Sequence, residues 1–157
     1  MISIPNITLA TAIDARAIAG MSRQYIEYGL GWSWTRERVL RAIHHRETNV
    51  AVIHEQGSLL AFGIMTYGEQ KAHLVLLAVD PEHRNRGLGA TLLAWLEKCA
   101  VTAGLERIQL EARADNPGAI AFYEEQGYGS IARVPGYYRG TVDAVRLEKS
   151  LRPPAGD

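Results

Sequence analysis

The segment Leu76-Leu77-Ala78-Val79-Asp80-Pro81-Glu82-His83-Arg84-Asn85-Arg86-Gly87-Leu88-Gly89-Ala90-Thr91 limits most narrowly what this chain can fold into. An apolar, strand-like run stops at Asp80-Pro81, a turn with two glycines follows, and a helical pattern begins at once. From Gly87 or Leu88 to Ala103, the residues Leu88, Leu92, Trp95, Leu96 and Cys99 mark one helical face, and Gly104 is a natural stop. Unpaired backbone N–H groups at a helix N-terminus, where the dipole is positive, form an anion site. Glycines let that backbone approach phosphate oxygens without an intervening Cβ, and Arg84 and Arg86 add charge suited to a pyrophosphate or ribose phosphate. The plainer alternative is a helix cap whose glycines merely permit the turn. A P-loop is excluded, because Ala90-Thr91 stands where Lys-Ser or Lys-Thr is required. A dinucleotide fingerprint is excluded as well, because Leu92 stands where a third Gly or Ala is needed.

Any such anion must be bound locally, since Lys plus Arg and Asp plus Glu both total 17. A balanced chain has no overall field to draw in nucleic acid or an acidic membrane. The length of 157 residues, with 47% hydrophobic and 22% charged content, predicts one globular domain, 1–151. A frayed tail, 152–157, follows, because its prolines and glycine extend neither strand nor helix. Cys99 is the only cysteine. It excludes an internal disulfide and reads as a packed core thiol. His44, His45, His73 and His83 lack metal-ligand spacing and read as surface or packing residues. The first residues lack the basic and apolar regions of a signal peptide, and no apolar run approaches the ~20 residues needed to span a bilayer. The expectation is a cytoplasmic protein without bound metal.

Elsewhere the chain reads as a strand up to about Ala10, then a helix from Asp14 to about Tyr28 with Ala17, Ile18, Met21, Tyr25 and Ile26 at helical spacing. After Gly29-Leu30-Gly31, Thr35 is the expected N-cap of a second helix running to about Arg46. Asn49–His54 and Leu59–Tyr67 suggest a hairpin, and Ala72–Val79 a third strand. Arg107–Arg113 alternates, with Ile108, Leu110 and Ala112 on one face and Gln109, Glu111 and Arg113 on the other. A short helix over Pro117–Gln126 and strands near Tyr128–Val134 and Val142–Lys149 complete the order β-α-α-β-β-β-α-β-α-β-β, which predicts a mixed sheet covered by helices.

Arg84-x-x-Gly87-x-Gly89, directly after a strand ending Val79-Asp80-Pro81, resembles the coenzyme A signature of the GNAT superfamily of N-acetyltransferases. Leu110-Glu111-Ala112-Arg113-Ala114-Asp115-Asn116 and Ala119-Ile120-Ala121-Phe122-Tyr123-Glu124-Glu125-Gln126-Gly127-Tyr128 resemble the next strand and helix of that superfamily, at the expected separation. The chain looks most like the branch that acetylates the N-terminal alanine of a ribosomal protein. The resemblance implies an α/β (α+β) fold: a mixed, mostly antiparallel sheet of about seven strands flanked by about four helices, with splayed parallel strands near 72–79 and 107–113. It also implies acetyl-CoA as cosubstrate, direct attack by a primary amine, and a monomer or homodimer. A non-catalytic coenzyme A-binding module is the alternative from another class.

Residue by residue, the resemblance implies that Leu77, Ala78 and Val79 pair with the pantetheine arm through their backbone. The Val79 N–H would polarise the thioester oxygen, and Arg84, Asn85, Arg86, Gly87, Leu88, Gly89 and Ala90 would hold the pyrophosphate. Tyr123 is implied as the general acid, protonated at neutral pH because a free phenol titrates near 10; its other reading is an aromatic in the helix's core face. Asn116 is placed to cap that helix, to bond the pantetheine, or to do both. Glu111 is the candidate general base, directly or through water, and otherwise a strand carboxylate paired with Arg113 or Arg107. For the acceptor the resemblance points to two loops, Gly29–Trp34 with Trp32 and Trp34, and Pro135–Gly140 with Tyr137 and Tyr138. Paired tyrosines before Asp143-Ala144 resemble those that bind a peptide's first residues, while aromatic walls suit a small apolar amine equally well.

Overall fold

A computed structural model describes residues 5–84 and 86–152. Along the chain run β1 (Ile7–Leu9), α1 (Ala15–Tyr25), α2 (Arg36–His44), β2 (Thr48–Glu55), β3 (Ser58–Tyr67), β4 (Lys71–Val79), α3 (Leu88–Thr102), β5 (Arg107–Arg113), α4 (Pro117–Glu125), β6 (Gly129–Tyr138) and β7 (Val142–Ser150). Short 3-10 turns at Ala12–Asp14 and Pro81–His83 precede α1 and α3. The strands lie in the order β1-β2-β3-β4-β5-β7-β6. Pairings β1–β2, β2–β3, β5–β7 and β6–β7 are antiparallel. β4 and β5 are parallel, in register from Lys71 with Arg107 to Leu74 with Leu110. This is the mixed, mostly antiparallel α/β architecture expected from the sequence.

The described residues group into two compact units, one within Met1–Thr66 and Val75–Leu96 and the other within Tyr67–Leu74 and Glu97–Asp157. In the first, Ala15, Ile18 and Ala19 of α1 and Val39 of α2 pack with Val50, Val52, Phe62, Ile64, Leu76 and Ala78 from β2, β3 and β4. β2 and β3 each bury an unbroken run of residues. That pattern belongs to strands covered on both faces. In the second unit Ile108, Leu110 and Ala112 of β5 are buried, as are Tyr123 and Leu147. The alternation read from Arg107–Arg113 thus places Glu111 on the face opposite that core, while Arg113 is itself buried.

The structure corrects four local expectations. Helix α1 ends at Tyr25 rather than near Tyr28, because the N–H groups of Ile26 and Glu27 both donate to the Ser22 carbonyl and turn the chain. Its buried face carries Ala15, Ala19 and Ser22 besides Ile18 and Met21, while Ala17 is exposed. Helix α2 begins at the expected cap, with Thr35 Oγ1 accepting from the Arg38 N–H at 3.3 Å. It stops at His44, two residues early, because His45 is extended and its Nδ1 accepts from the Glu47 N–H. On α3, Leu93 and Ala100 are buried with Leu88, Leu92 and Leu96, whereas Trp95 and Cys99 are half-buried.

The fourth difference bears on the site. Tyr137 and Tyr138, expected in a loop, lie at the end of β6, and Tyr138 pairs with Val142 of β7. Gly136 absorbs the irregularity at φ +64, a left-handed conformation that favours glycine, and its N–H donates to Asp143 Oδ1 at 2.9 Å. A Cβ there would stand 3.3 Å from the Gly140 backbone. The strand therefore bulges at Pro135-Gly136 and resumes, rather than ending there.

Among the described residues no helix is long and apolar enough to cross a membrane. No group of three or more His, Cys, Asp or Glu side chains there could hold a metal ion.

Candidate active site

In the first unit, β4 delivers half-buried Leu77 and Val79 and buried Ala78 to the Pro81–His83 turn. Asp80 caps that turn by accepting from the Glu82 N–H at 3.0 Å, and Arg84 and Arg86 beyond it are exposed. Arg86 Nη2 donates to Glu55 Oε2 at 2.8 Å, and this guanidinium holds the Glu55 carboxyl below its ordinary value. Asn85 lies outside the described residues. Gly87 sits at φ +74 and opens α3, its carbonyl accepting from the Thr91 N–H at 3.0 Å. Nothing lies within 4 Å of where a Gly87 Cβ would stand. Leu88 is buried beneath the turn, while Gly89 and Ala90 are half-buried. An anion can therefore approach the first turn of α3 without meeting a side chain at Gly87, which is the fit a pyrophosphate needs.

That geometry makes one substitution informative. Gly87→Ala forces an alanine into the left-handed region, at a stability cost of about 1 kcal/mol. Its methyl would also enter the space above the turn. The Michaelis constant for acetyl-CoA should rise about tenfold in steady-state assays, with that for the acceptor unchanged.

In the second unit the side chains converge on Glu111. His73 Nε2 donates to Glu111 Oε1 at 2.6 Å, Tyr137 Oη to the same oxygen at 3.1 Å, and Arg146 Nε to Oε2 at 2.7 Å. Tyr138 Oη donates to the Glu111 carbonyl at 3.2 Å, and the two tyrosine rings meet edge to face at 4.9 Å. The Glu111 side chain is 7% exposed, and His73 is 38% exposed. Burial by itself would raise the Glu111 pKa. Hydrogen bonds from His73 and Arg146, the charge of His73 and the Tyr137 hydroxyl override it and hold the carboxyl at about 2. The ionised carboxylate only accepts hydrogen bonds, so Nε2 of His73 carries the hydrogen. When that ring is neutral, Nδ1 keeps its lone pair.

The remaining candidate residues of this unit lie on β5, on α4 and between them. Tyr123 of α4 is 9% exposed, and its ring meets Phe122 and Tyr128 edge to face at 5.2 and 5.9 Å. Burial pushes its phenol well above the ordinary range. Burial first, then negative charge on Tyr137, Glu111 or Tyr123, pushes Tyr138 up as well, so these groups share one electrostatic neighbourhood. Asn116 caps α4, its Oδ1 accepting from the Ala119 N–H at 3.1 Å. Arg113 pairs with Asp115 and Arg107 with Glu148, so each arginine expected beside Glu111 has another carboxylate as its partner.

In the first unit, Trp32 is 41% exposed; its Nε1 donates to the Ala19 carbonyl at 3.2 Å, and Arg23 lies over its ring. Trp34 packs against the first unit's core, with Arg38 3.9 Å above its ring.

Sequence reasoning misses His73, Arg146 and Glu27. The parallel register β4–β5 sets Leu74 opposite Leu110 and so brings His73 beside the Gln109–Glu111 stretch, while β7 sets Arg146 opposite Glu111. A histidine and an arginine on alternating strand positions are the available signals, but only strand order shows that they meet.

The cluster also governs acid stability. Because the folded Glu111 carboxyl titrates at about 2 rather than 4.5, its contribution is complete above 4.5 and is lost as pH falls toward 2. Melting temperature should decline over that interval, and the decline should be shallower in a Glu111→Gln variant.

The structure thus shows, in one unit, a helix start at Gly87 open to an anion and, in the other, a buried carboxylate bonded to an imidazole. The family model described as acetyltransferase (GNAT) family matches residues 18–128, and the chain belongs to that family. It is 36% identical over 94 residues to the ribosomal protein bS18-alanine N-acetyltransferase of Escherichia coli strain K12. That match takes in 58% of this chain and 64% of the relative, so the chain spans a little under two thirds of the relative's length. In structure it is similar to Ard1 from Thermoplasma volcanium, with a TM-score of 0.85 and 22% identity, over 95% of this chain and 99% of that one. It is similar as well to yncA, a putative acetyltransferase from Salmonella typhimurium with its cofactor acetyl-CoA, with a TM-score of 0.80 and 19% identity over 99% and 98%.

Proposed function

We propose that this protein is an acetyl-CoA-dependent N-acetyltransferase whose acceptor is a primary amine, in particular a peptide N-terminus. The observation that carries the reading is the carboxylate of Glu111, held ionised by His73, Arg146 and Tyr137. The family supports the acetyl donor, and the matched region of the alanine N-acetyltransferase supports a peptide acceptor.

When bound, acetyl-CoA supplies an acetyl group activated as a thioester. The backbone of Leu77, Ala78 and Val79 holds the pantetheine, and Asn116 supports it from the start of α4. Arg84, Asn85, Arg86 and the turn from Gly87 to Ala90 hold the pyrophosphate. Val79 N–H stabilises negative charge gathering on the carbonyl oxygen. Glu111 stays ionised and orients His73, whose Nδ1 takes the proton of the acceptor ammonium, directly or through one water. The freed amine nitrogen bonds the carbonyl carbon, the carbon–sulfur bond breaks, Tyr123 gives its proton to the departing sulfur, and the second proton shed by the new amide nitrogen restores the phenol, directly or through water. The acceptor-binding residues in this proposal are Tyr137 and Tyr138 in the second unit and Trp32 and Trp34 in the first. The protein works in the cytoplasm, a location favoured by a single cysteine that gains nothing from an oxidising compartment.

The test is thiol release from acetyl-CoA in the presence of peptides beginning with Ala, Ser, Gly or Met, and of polyamines and aromatic amines. Turnover with peptides supports the proposal, turnover with small amines alone moves the acceptor class, and silence across the panel sinks it.

A further inference from the structure

A buried carboxylate that this mechanism does not use lies in the first unit. Glu27 is 8% exposed, just past the end of α1. Its oxygens accept from four groups on two short stretches of chain. Ser22 Oγ donates to Oε2 at 2.9 Å, and the Ser33 N–H to Oε1 at 2.8 Å. The Ser33 hydroxyl donates to Oε1 as well, and the Trp34 N–H is shared at 3.3 and 3.2 Å. Among the described residues Glu27 makes no ion pair, and the nearby guanidinium groups of Arg23 and Arg38 are stacked over Trp32 and Trp34. Burial alone would raise the Glu27 pKa, yet its bonds to Ser33, Ser22 and Trp34 hold it below the ordinary value.

Burying a charge without a cationic partner is costly unless its hydrogen bonds are complete, and removing such an acceptor strands every donor aimed at it. The four donors come from the last turn of α1 and from Ser33-Trp34, which close the segment carrying Trp32. Glu27 thus closes that segment into a fixed loop, while Trp32 Nε1 on Ala19 and the Thr35 cap hold its two sides. We infer that Glu27 is a positioning residue for the acceptor: it fixes the α1–α2 loop that carries Trp32 and Trp34. The inference rests on the proposed use of that loop by the acceptor. The carboxylate itself, with both oxygens occupied, does not contact the amine.

The experiment compares wild type with Glu27→Gln and the milder Ser33→Ala, using whichever alanine-initiated peptide turns over. Hydrogen exchange at the Ser33 and Trp34 amides reads the loop, and steady-state kinetics read its use. The amide of Glu27→Gln turns an N–H₂ toward donors that need an acceptor, so both amides should exchange at least tenfold faster. The Michaelis constant for the peptide should rise about tenfold, with that for acetyl-CoA and the turnover number within twofold of wild type. Ser33→Ala, which keeps the backbone bond, should move the same quantities by a smaller factor. Unchanged exchange in both variants overturns the loop-closing role. Faster exchange with an unchanged peptide constant overturns the acceptor role of the loop, while turnover by wild type leaves the acetyltransferase reading standing.

Discussion

Replacing Glu111 with Gln should bring a ~100-fold loss of kcat/KM, at the lower end of what positioned acid–base groups contribute. Glutamine keeps the size of the side chain but not its charge, so Arg146 Nε and His73 Nε2 lose the ion they were bonded to at 2.7 and 2.6 Å. His73 is then free to rotate or to change tautomer, and Nδ1 is no longer reliably the acceptor. A buried cluster left with mismatched donors should also cost about 2 kcal/mol of stability, measurable as a fall in melting temperature of about 5 °C. The pH profile separates orientation from direct base catalysis. Glu111 titrates at about 2, so an acid limb of the rate profile lying well above that value belongs to another group. His73→Gln, which removes the ring that Glu111 holds in place, should lower kcat/KM as far as Glu111→Gln does. A limb centred near 2, insensitive to His73, would return the base role to Glu111 itself.

Tyr123→Phe carries the second large expectation. The turnover number should fall by a factor of roughly 10 to 100, with little change in the Michaelis constant for acetyl-CoA. The substitution removes only a hydroxyl, and the edge-to-face contacts with Phe122 and Tyr128 survive. A loss of rate without loss of stability therefore reports the proton and not the packing. Burial raises this phenol above its ordinary value, so it stays protonated throughout the working range. The wild-type enzyme should accordingly show no alkaline decline attributable to Tyr123 below pH ~10. An unchanged turnover number would remove Tyr123 from the mechanism.

What is legible in the sequence follows from the range of the interactions. Thr35 as a helix cap, Asn116 as another and the hairpin between β2 and β3 are settled within a few residues, and each stands where the local pattern puts it. Helical spacing overshoots the end of α1, because Glu27 bonds Ser33 and Trp34, six and seven residues on, in a loop with no periodicity to read. Pro135-Gly136 reads as a break and so suggests a loop at Tyr137 and Tyr138, whereas pairing with β7 carries the strand through a bulge. Glu111 stands out in the sequence, but the partners that suggest themselves there are its neighbours Arg107 and Arg113. Its actual partners, His73 and Arg146, are 38 and 35 residues distant.

Sequence alone thus determined the order of the elements, the mixed sheet and the glycine turn at Arg84 to Gly89 that opens α3. Each is written in local periodicity or in a backbone conformation that one residue type favours, as Gly87 does at φ +74. Tertiary structure alone decided the state of Glu111. A carboxylate's protonation depends on which donors face it, and those donors arrive on β4, β6 and β7 through strand pairing that no local pattern encodes.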